Sequence, residues 1–138
     1  MENKVTRNKA AVQAWLDVLA RGAVDEWDAI VDPDVSVDVV FMPGNTGPLV
    51  GRDANRAHIG EFWKVWKSFA FHDVEIHATE NSDVLFVTAR SEAQTAWDAP
   101  YANTYVFRMK LRDGRIAEHR EFFNPLRVLE TFKDHLPA

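Results

Sequence analysis

Alternation of apolar and polar positions is clearest over residues 103–126, NTYVFRMKLRDGRIAEHREFFNPL. Tyr105, Phe107, Met109 and Leu111 fall on every second position, as do Ala117, His119, Glu121 and Phe123. A period of two belongs to a strand, whose side chains alternate between faces. Asp113-Gly114 between the runs suits a two-residue type I′ turn, which needs positive φ at both central positions. The stretch therefore predicts a hairpin. Earlier in the chain the period changes. Val12, Trp15, Leu16 and Leu19 follow i, i+3, i+4, i+7 and predict a helix over about residues 6–21, stopped by Gly22. A short second helix over about residues 23–31 has Val24, Trp27 and Val31 on one side and ends at Asp32-Pro33. Residues 35–41, VSVDVVF, read as a strand rich in β-branched residues, with Val35, Val37, Val39 and Phe41 on one face and Asp38 on the other. Beyond a loop, PGNTGP, the stripe Ile59, Phe62, Trp63, Trp66 and Phe69 predicts a third helix over about residues 53–69. Residues 71–79 and 84–95 predict two strands about the turn Asn81-Ser82-Asp83, and Pro125 opens a last helix or turn to about Phe132.

Helix, helix, strand, helix and then four antiparallel strands is an α+β order. Its natural packing is a strongly curved, mixed or antiparallel sheet wrapped around helices on one face, a cone-shaped barrel with an internal pocket. At 138 residues the chain fits one domain spanning residues 1–138, large enough to bury about two-thirds of the surface its unfolded form exposes. Five Trp and nine Phe suit a roomy apolar interior. A net charge of −5 argues against nucleic acid, whose recognition rests on clustered Lys and Arg. With no cysteine there is no disulfide or thiolate metal site, a composition compatible with the reducing cytoplasm. MENKVTRNKA lacks the apolar core of a signal peptide, and the longest nearly uncharged stretch, 35–52, contains Pro and Gly. The expectation is a cytoplasmic protein that binds a small molecule and engages no membrane.

Candidate chemistry follows from the hairpin. Burying Phe123 is worth about 1.5–3 kcal/mol, and turning it inward turns His119 and Glu121 inward by alternation. Same-face neighbours on a strand stand roughly 6.5–7 Å apart, so the imidazole and the carboxylate can act on one small molecule. A carboxylate placed among aromatic side chains loses solvation, which suits a general acid or base. The alternative is that Glu121 faces solvent in an ion pair. On the long strand Val84, Phe86, Thr88, Arg90, Glu92 and Gln94 share a face, opposite Leu85, Val87, Ala89, Ser91 and Ala93. With Phe86 inward, Arg90 and Glu92 enter the cone, Arg90 compensates Glu92 and Glu121, and one of the two carboxylates holds its proton. Otherwise the strand leaves the core there. His58, four residues before Phe62, faces them from the third helix. The expected pocket wall is Trp15, Leu19, Phe41, Phe62, Trp66, Phe86, Asn103, Tyr105 and Phe123. No histidine spacing suits zinc, and there is no glycine-rich phosphate loop or GxSxG, so neither metal nor cofactor is called for.

The GRDA at 51–54, the LRDGRI at 111–116 and the closing HREFFNPL at 119–126 resemble the superfamily of nuclear transport factor two, in its SnoaL-like branch, over nearly the whole chain. Within it the chain is most similar to the phenazine biosynthesis proteins A and B, whose last strand carries Arg-Glu-Phe-Met-Asn after Asp-Gly-Lys-Ile. There the strand glutamate and a helix histidine act as acid and base on a cyclic amino-ketone, which implies those roles for Glu121 and His58. Phe62 stands where that group has serine, and residues 25–31 lack its substrate-binding arginine. Limonene epoxide hydrolase is similar in a second way: Arg90-x-Glu92 and Arg120-Glu121-Phe122-Phe123 match its Arg-x-Asp and Arg-Asp-Tyr-Phe with Glu for Asp. Val37 and Val39 fall where it has Tyr and Asn, and Asp38 lies near the catalytic strand of ketosteroid isomerases but on the opposite face. The resemblance implies a cofactor-free acid–base enzyme acting on a small to medium, largely apolar cyclic substrate in secondary metabolism, by isomerisation, cyclisation, condensation or dehydration. An epoxide hydrolase and a non-catalytic ligand-binding module are the alternatives. It also implies a homodimer through the outer sheet face, where Val106 and Phe122 alternate with Arg108, Lys110 and Arg120.

Overall fold

A computed structural model describes residues 3–135. Its elements run α1 Lys4–Arg21, α2 Val24–Trp27, β1 Val31–Val39, β2 Leu49–Val50, α3 Arg52–Trp63, β3 Trp66–Ala78, β4 Val84–Thr95, β5 Pro100–Arg112, β6 Arg115–Phe122 and α4 Pro125–Phe132. The strands form one six-stranded sheet in the order β2-β1-β6-β5-β4-β3. Among the described residues only the β1–β6 pair is parallel, so the sheet is mixed, and it is not closed. The fold is the expected α+β cone. Among the described residues no helix is long and apolar enough to cross a membrane.

The predicted turn forms as its chemistry requires: Asp113 and Gly114 have φ of 52° and 79°, and Arg112 pairs with Arg115 across them. Pairing shifts interrupt β3, β1–β6 and β5–β6, between His72 and Glu75, Val31 and Ser36, and Lys110 and Leu111. Each inserts residues on one strand only, which bends and twists a sheet, and together they curve it around the helices. Pro33 sits in the β1 irregularity, where a missing N–H does least harm. This is why α2 is one turn and not a helix to Val31. The chain turns at Ile30, whose N–H reaches Trp27, and enters the sheet two residues before the proline.

Helix α1 stops at Gly22, in the left-handed region at φ 63°, with the Ala23 N–H bonded back to Val18 O at 3.1 Å. Its stripe of Val12, Trp15 and Leu16 is buried in one core cluster with Leu85, Val87, Phe107 and Met109 of the concave face. The third helix is shorter than its aromatic stripe suggests. It ends at Trp63, and Trp66 and Phe69 belong to β3. Trp66 packs edge-on to Phe62 at 5.5 Å and Phe132 at 5.4 Å, so one aromatic cluster bridges helix and strand.

A polar latch holds the start of α1 to the β3–β4 turn. Asn8, fully buried, donates to Ser82 O at 2.8 Å and Asp83 Oδ1 at 3.2 Å, and Lys4 Nζ meets Asp83 Oδ2 at 2.9 Å. The Lys4 hydrogen bond, and after it Asn8, hold the Asp83 carboxyl below its ordinary pKa. A lowered folded-state pKa adds stability above the unfolded value and loses it as pH falls through the folded one. Asp83→Asn is therefore expected to lower the melting temperature by a few degrees at pH 7, corresponding to at most about 1 kcal/mol for a partly exposed pair. The difference from the parent should shrink below about pH 4, in thermal melts followed by circular dichroism from pH 3 to 7.

Candidate active site

Alternation along β6 buries His119 and turns Glu121 and Phe123 to the concave side. Parallel pairing with β1 sets Val37 beside His119 and Val39 beside Glu121, so the residues that flank the polar pair are β-branched and apolar. Above them stand Trp15 and Leu19 of α1, Ile59 and Phe62 of α3, and Val128 and Phe132 of α4. These enclose a cavity of about 120 Å³, close to the roughly 150 Å³ that holds one benzene ring elsewhere. His58 is exposed and lies at the rim, with no hydrogen-bond partner among the described residues.

Three side chains form a directed chain within this space. Trp15 Nε1 lies 2.9 Å from His119 Nδ1, and His119 Nε2 lies 2.9 Å from Glu121 Oε1. An indole nitrogen only donates, so Nδ1 accepts and the imidazole hydrogen sits on Nε2. His119 therefore donates to Glu121. Only 2% of the histidine side chain is exposed, and its ring is wedged between Trp15 and Phe107 at 5.5 and 5.2 Å between centroids. A hydrogen on Nδ1 would confront the indole N–H, so His119 orients the carboxylate and does not shuttle protons through that nitrogen. Glu121 has one oxygen occupied, and its Oε2 has no partner among the described residues, with 17% of the side chain accessible. That oxygen is free to take or give a proton inside an apolar cavity.

A second polar chain lies on β5. Tyr101, Asn103 and Tyr105 are all buried and share the inner face. Asn103 Nδ2 donates to Tyr101 Oη at 2.8 Å, Tyr105 Oη to the same oxygen at 3.4 Å, and Ser91 Oγ stands 2.9 Å from Tyr105 Oη. Burial raises the hydroxyl pKa of both tyrosines, and the nearby Glu121 charge adds to it. Both remain phenols.

Of the residues expected at the site, Glu121, His119, His58, Trp15, Leu19, Phe62, Tyr105 and Phe123 line one cavity. Arg90 and Glu92 do not. The outer face of β4 carries Phe86, 37% exposed, together with Arg90 and Glu92, while Leu85, Val87, Ala89 and Ser91 are buried. Arg90 bonds Asp73 at 2.5 Å and Glu92 at 2.9 Å there, and the Arg90 hydrogen bond lowers the Glu92 pKa instead of raising it. The physical reason is space. The concave face must admit α1, and small or branched residues allow that where Phe, Arg and Glu would not. Phe41 is also outside, 51% exposed and 5.9 Å from Phe122, because β1 ends at Val39 and the chain turns. Trp66 and Asn103 lie behind the wall, the first in the aromatic cluster and the second bonded to Tyr101 and Asn124. Sequence reasoning missed Tyr101. It shares the alternation of Asn103 and Tyr105, but the Asp98-Ala99-Pro100 loop hid the start of a strand that begins at Pro100 itself.

The family model of the SnoaL-like domain matches residues 12–119. The chain belongs to the SnoaL-like family. An uncharacterized PhzA/B-like protein of Pseudomonas aeruginosa is 27% identical over 117 residues, 83% of this chain and 82% of that protein. A Bacillus subtilis structure provisionally named an isomerase superposes with a TM-score of 0.89 at 18% identity, covering 99% of this chain and all (100%) of that one. An LEH-like epoxide hydrolase from M. tuberculosis gives 0.76 at 19%, covering 96% and 87%. At these identities the structural likeness establishes the fold.

The Trp15–His119 bond is testable by a double-mutant cycle in urea denaturation. Trp15→Phe leaves a buried histidine nitrogen unsatisfied, and a loss of about 1–3 kcal/mol is expected. Adding His119→Phe should cost much less than it does in the parent, because both partners are then apolar. Strict additivity would mean the bond contributes nothing.

Proposed function

We propose that this SnoaL-like protein is a cofactor-free acid–base catalyst that moves a proton on a compact, largely apolar cyclic substrate, with Glu121 as the proton carrier. One observation carries the reading. Glu121 presents a free carboxylate oxygen to an apolar cavity in which, among the described residues, no lysine or arginine takes part. A base needs geometric reach and weak solvation more than it needs a partner. His119, fixed by Trp15, holds the carboxylate in one orientation and donates to the oxygen that does not react. His58 at the rim is the second proton-transfer group and can exchange with solvent.

The reaction is proton abstraction next to a carbonyl and return of the proton to the same carbon or another. This is the elementary step of isomerisation, and of cyclisation when the carbanion meets an internal electrophile. The cavity volume favours the one-ring end of the substrate range. Similarity to a PhzA/B-like protein and to proteins named as isomerase and polyketide cyclase supports this class of chemistry and a place in secondary metabolism. An epoxide hydrolase of the limonene type is disfavoured, because Arg90 and Glu92, which match its arginine and aspartate, lie on the outer face.

Exchange of the α-hydrogens of cyclohexanone and cyclohex-2-enone in D2O, followed by proton NMR, tests the proposal. The parent should accelerate exchange, and Glu121→Gln should reduce that acceleration by about 10²-fold or more with ligand affinity retained. Equal exchange in the two proteins would leave a binding module as the better reading.

A further inference from the structure

The last helix has two sides that face different spaces. Val128 and Phe132, one turn apart and so on one face of α4, line the cavity that holds Glu121. Arg127 and Thr131, the pair one position back, line a separate groove floored by Ala99, Pro100 and Ala102. Tyr101 lines both spaces. The groove holds about 520 Å³ against about 120 Å³ for the cavity. A roomy space therefore lies directly behind one wall of a small one.

That wall is an aromatic cluster. The Phe132 ring stands edge-on to Trp66 at 5.4 Å, to Trp97 at 5.4 Å and to Tyr101 at 6.0 Å. His135 stacks on Trp97 at 3.8 Å and backs the cluster from beyond the end of α4. Tyr101 is buried, with its hydroxyl bonded to Asn103 Nδ2 at 2.8 Å. Edge-to-face contacts fix the direction of a ring as well as its burial, and a close-packed wall resists displacement by the width of a ring.

We propose that Phe132, held against Tyr101, is the specificity-determining residue that limits the substrate to a single ring. The substrate class is a monocyclic ketone, an assignment that rests on the proton-transfer reading of Glu121. The size limit rests on the wall alone. Trp15 and His119, on the same cavity, cannot give way without breaking the bonds that orient Glu121. The α4 side can, because behind it lies open groove and not core. Cutting Phe132 back joins the two spaces and admits a second fused ring.

Binding of cyclohexanone and of its fused two-ring analogue 1-tetralone is to be titrated by NMR against the parent, Phe132→Ala, Phe132→Leu and Thr131→Ala. The parent should bind 1-tetralone about tenfold or more weakly than cyclohexanone. Phe132→Ala should tighten 1-tetralone about tenfold and weaken cyclohexanone. Phe132→Leu keeps an apolar side chain on Tyr101 and should shift the preference the same way by less, which covers a failure of the alanine variant to fold. Thr131→Ala alters the groove and should leave both affinities at the parent's values. Equal affinity of the parent for the two ketones, binding of neither, no gain in the Phe132 variants, or an equal gain in Thr131→Ala would overturn the proposal. Deuterium exchange separates it from the proton-transfer reading. Cyclohexanone exchange independent of Glu121→Gln defeats that reading and leaves the wall standing. Glu121-dependent exchange that the parent accelerates as much for 1-tetralone as for cyclohexanone defeats the wall.

Discussion

Trp15 brings an indole N–H, a group that can only donate, to a histidine nitrogen almost sealed from solvent. That constraint propagates. It places the imidazole hydrogen on Nε2, turns His119 into a donor toward Glu121 Oε1, and leaves the other carboxylate oxygen without a partner among the described residues. Each step depends on a different part of the fold. The left-handed Gly22 cap and the Asn8 latch locate α1 and therefore Trp15. The parallel β1–β6 register locates His119 and Glu121 beside Val37 and Val39. A shift of one residue in that register would send the pair to the outer face.

The placement of charge divides the molecule in two. Several cations on the outer face of the sheet have local partners there, as in Arg90 with Asp73 and Glu92, and Lys110 with Glu118. The cavity keeps one carboxylate and two phenols that burial holds protonated. Its lining is otherwise mostly apolar, which suits a neutral molecule better than an anion. Among the described residues no lysine or arginine lines the cavity, which makes the carboxylate more dependent on the His119 hydrogen bond, and so on Trp15.

Where local physics decided the structure, the sequence was readable. Asp113-Gly114 specified its turn, the 12–19 stripe its helix, and Phe123 the inward face of β6 with His119 and Glu121 on it. The errors arose where tertiary packing overrode a local pattern. Phe86 invited an inward face for β4, yet the space left by α1 favours Leu85, Val87 and Ala89, and Arg90 and Glu92 went outward with it. Trp66 and Phe69 continue a helical period but lie on β3, because an aromatic cluster can be assembled from two elements as well as from one. Tyr101 was lost to a loop signal one residue upstream. The hydrogen-bond direction from Trp15 to His119 was beyond any reading of the chain, since the partners are 104 residues apart.

The most direct test of the central claim is the protonation pattern of His119 itself, read from the imidazole nitrogen-15 shifts in a two-dimensional long-range nitrogen–proton NMR spectrum. The other histidines can be assigned by substitution. The account predicts a neutral ring at pH 7 with its hydrogen on Nε2, and a shift of the Nδ1 signal when Trp15 is replaced by Phe. A ring carrying its hydrogen on Nδ1, or on both nitrogens, would contradict the Trp15-to-Glu121 chain and the role assigned to Glu121.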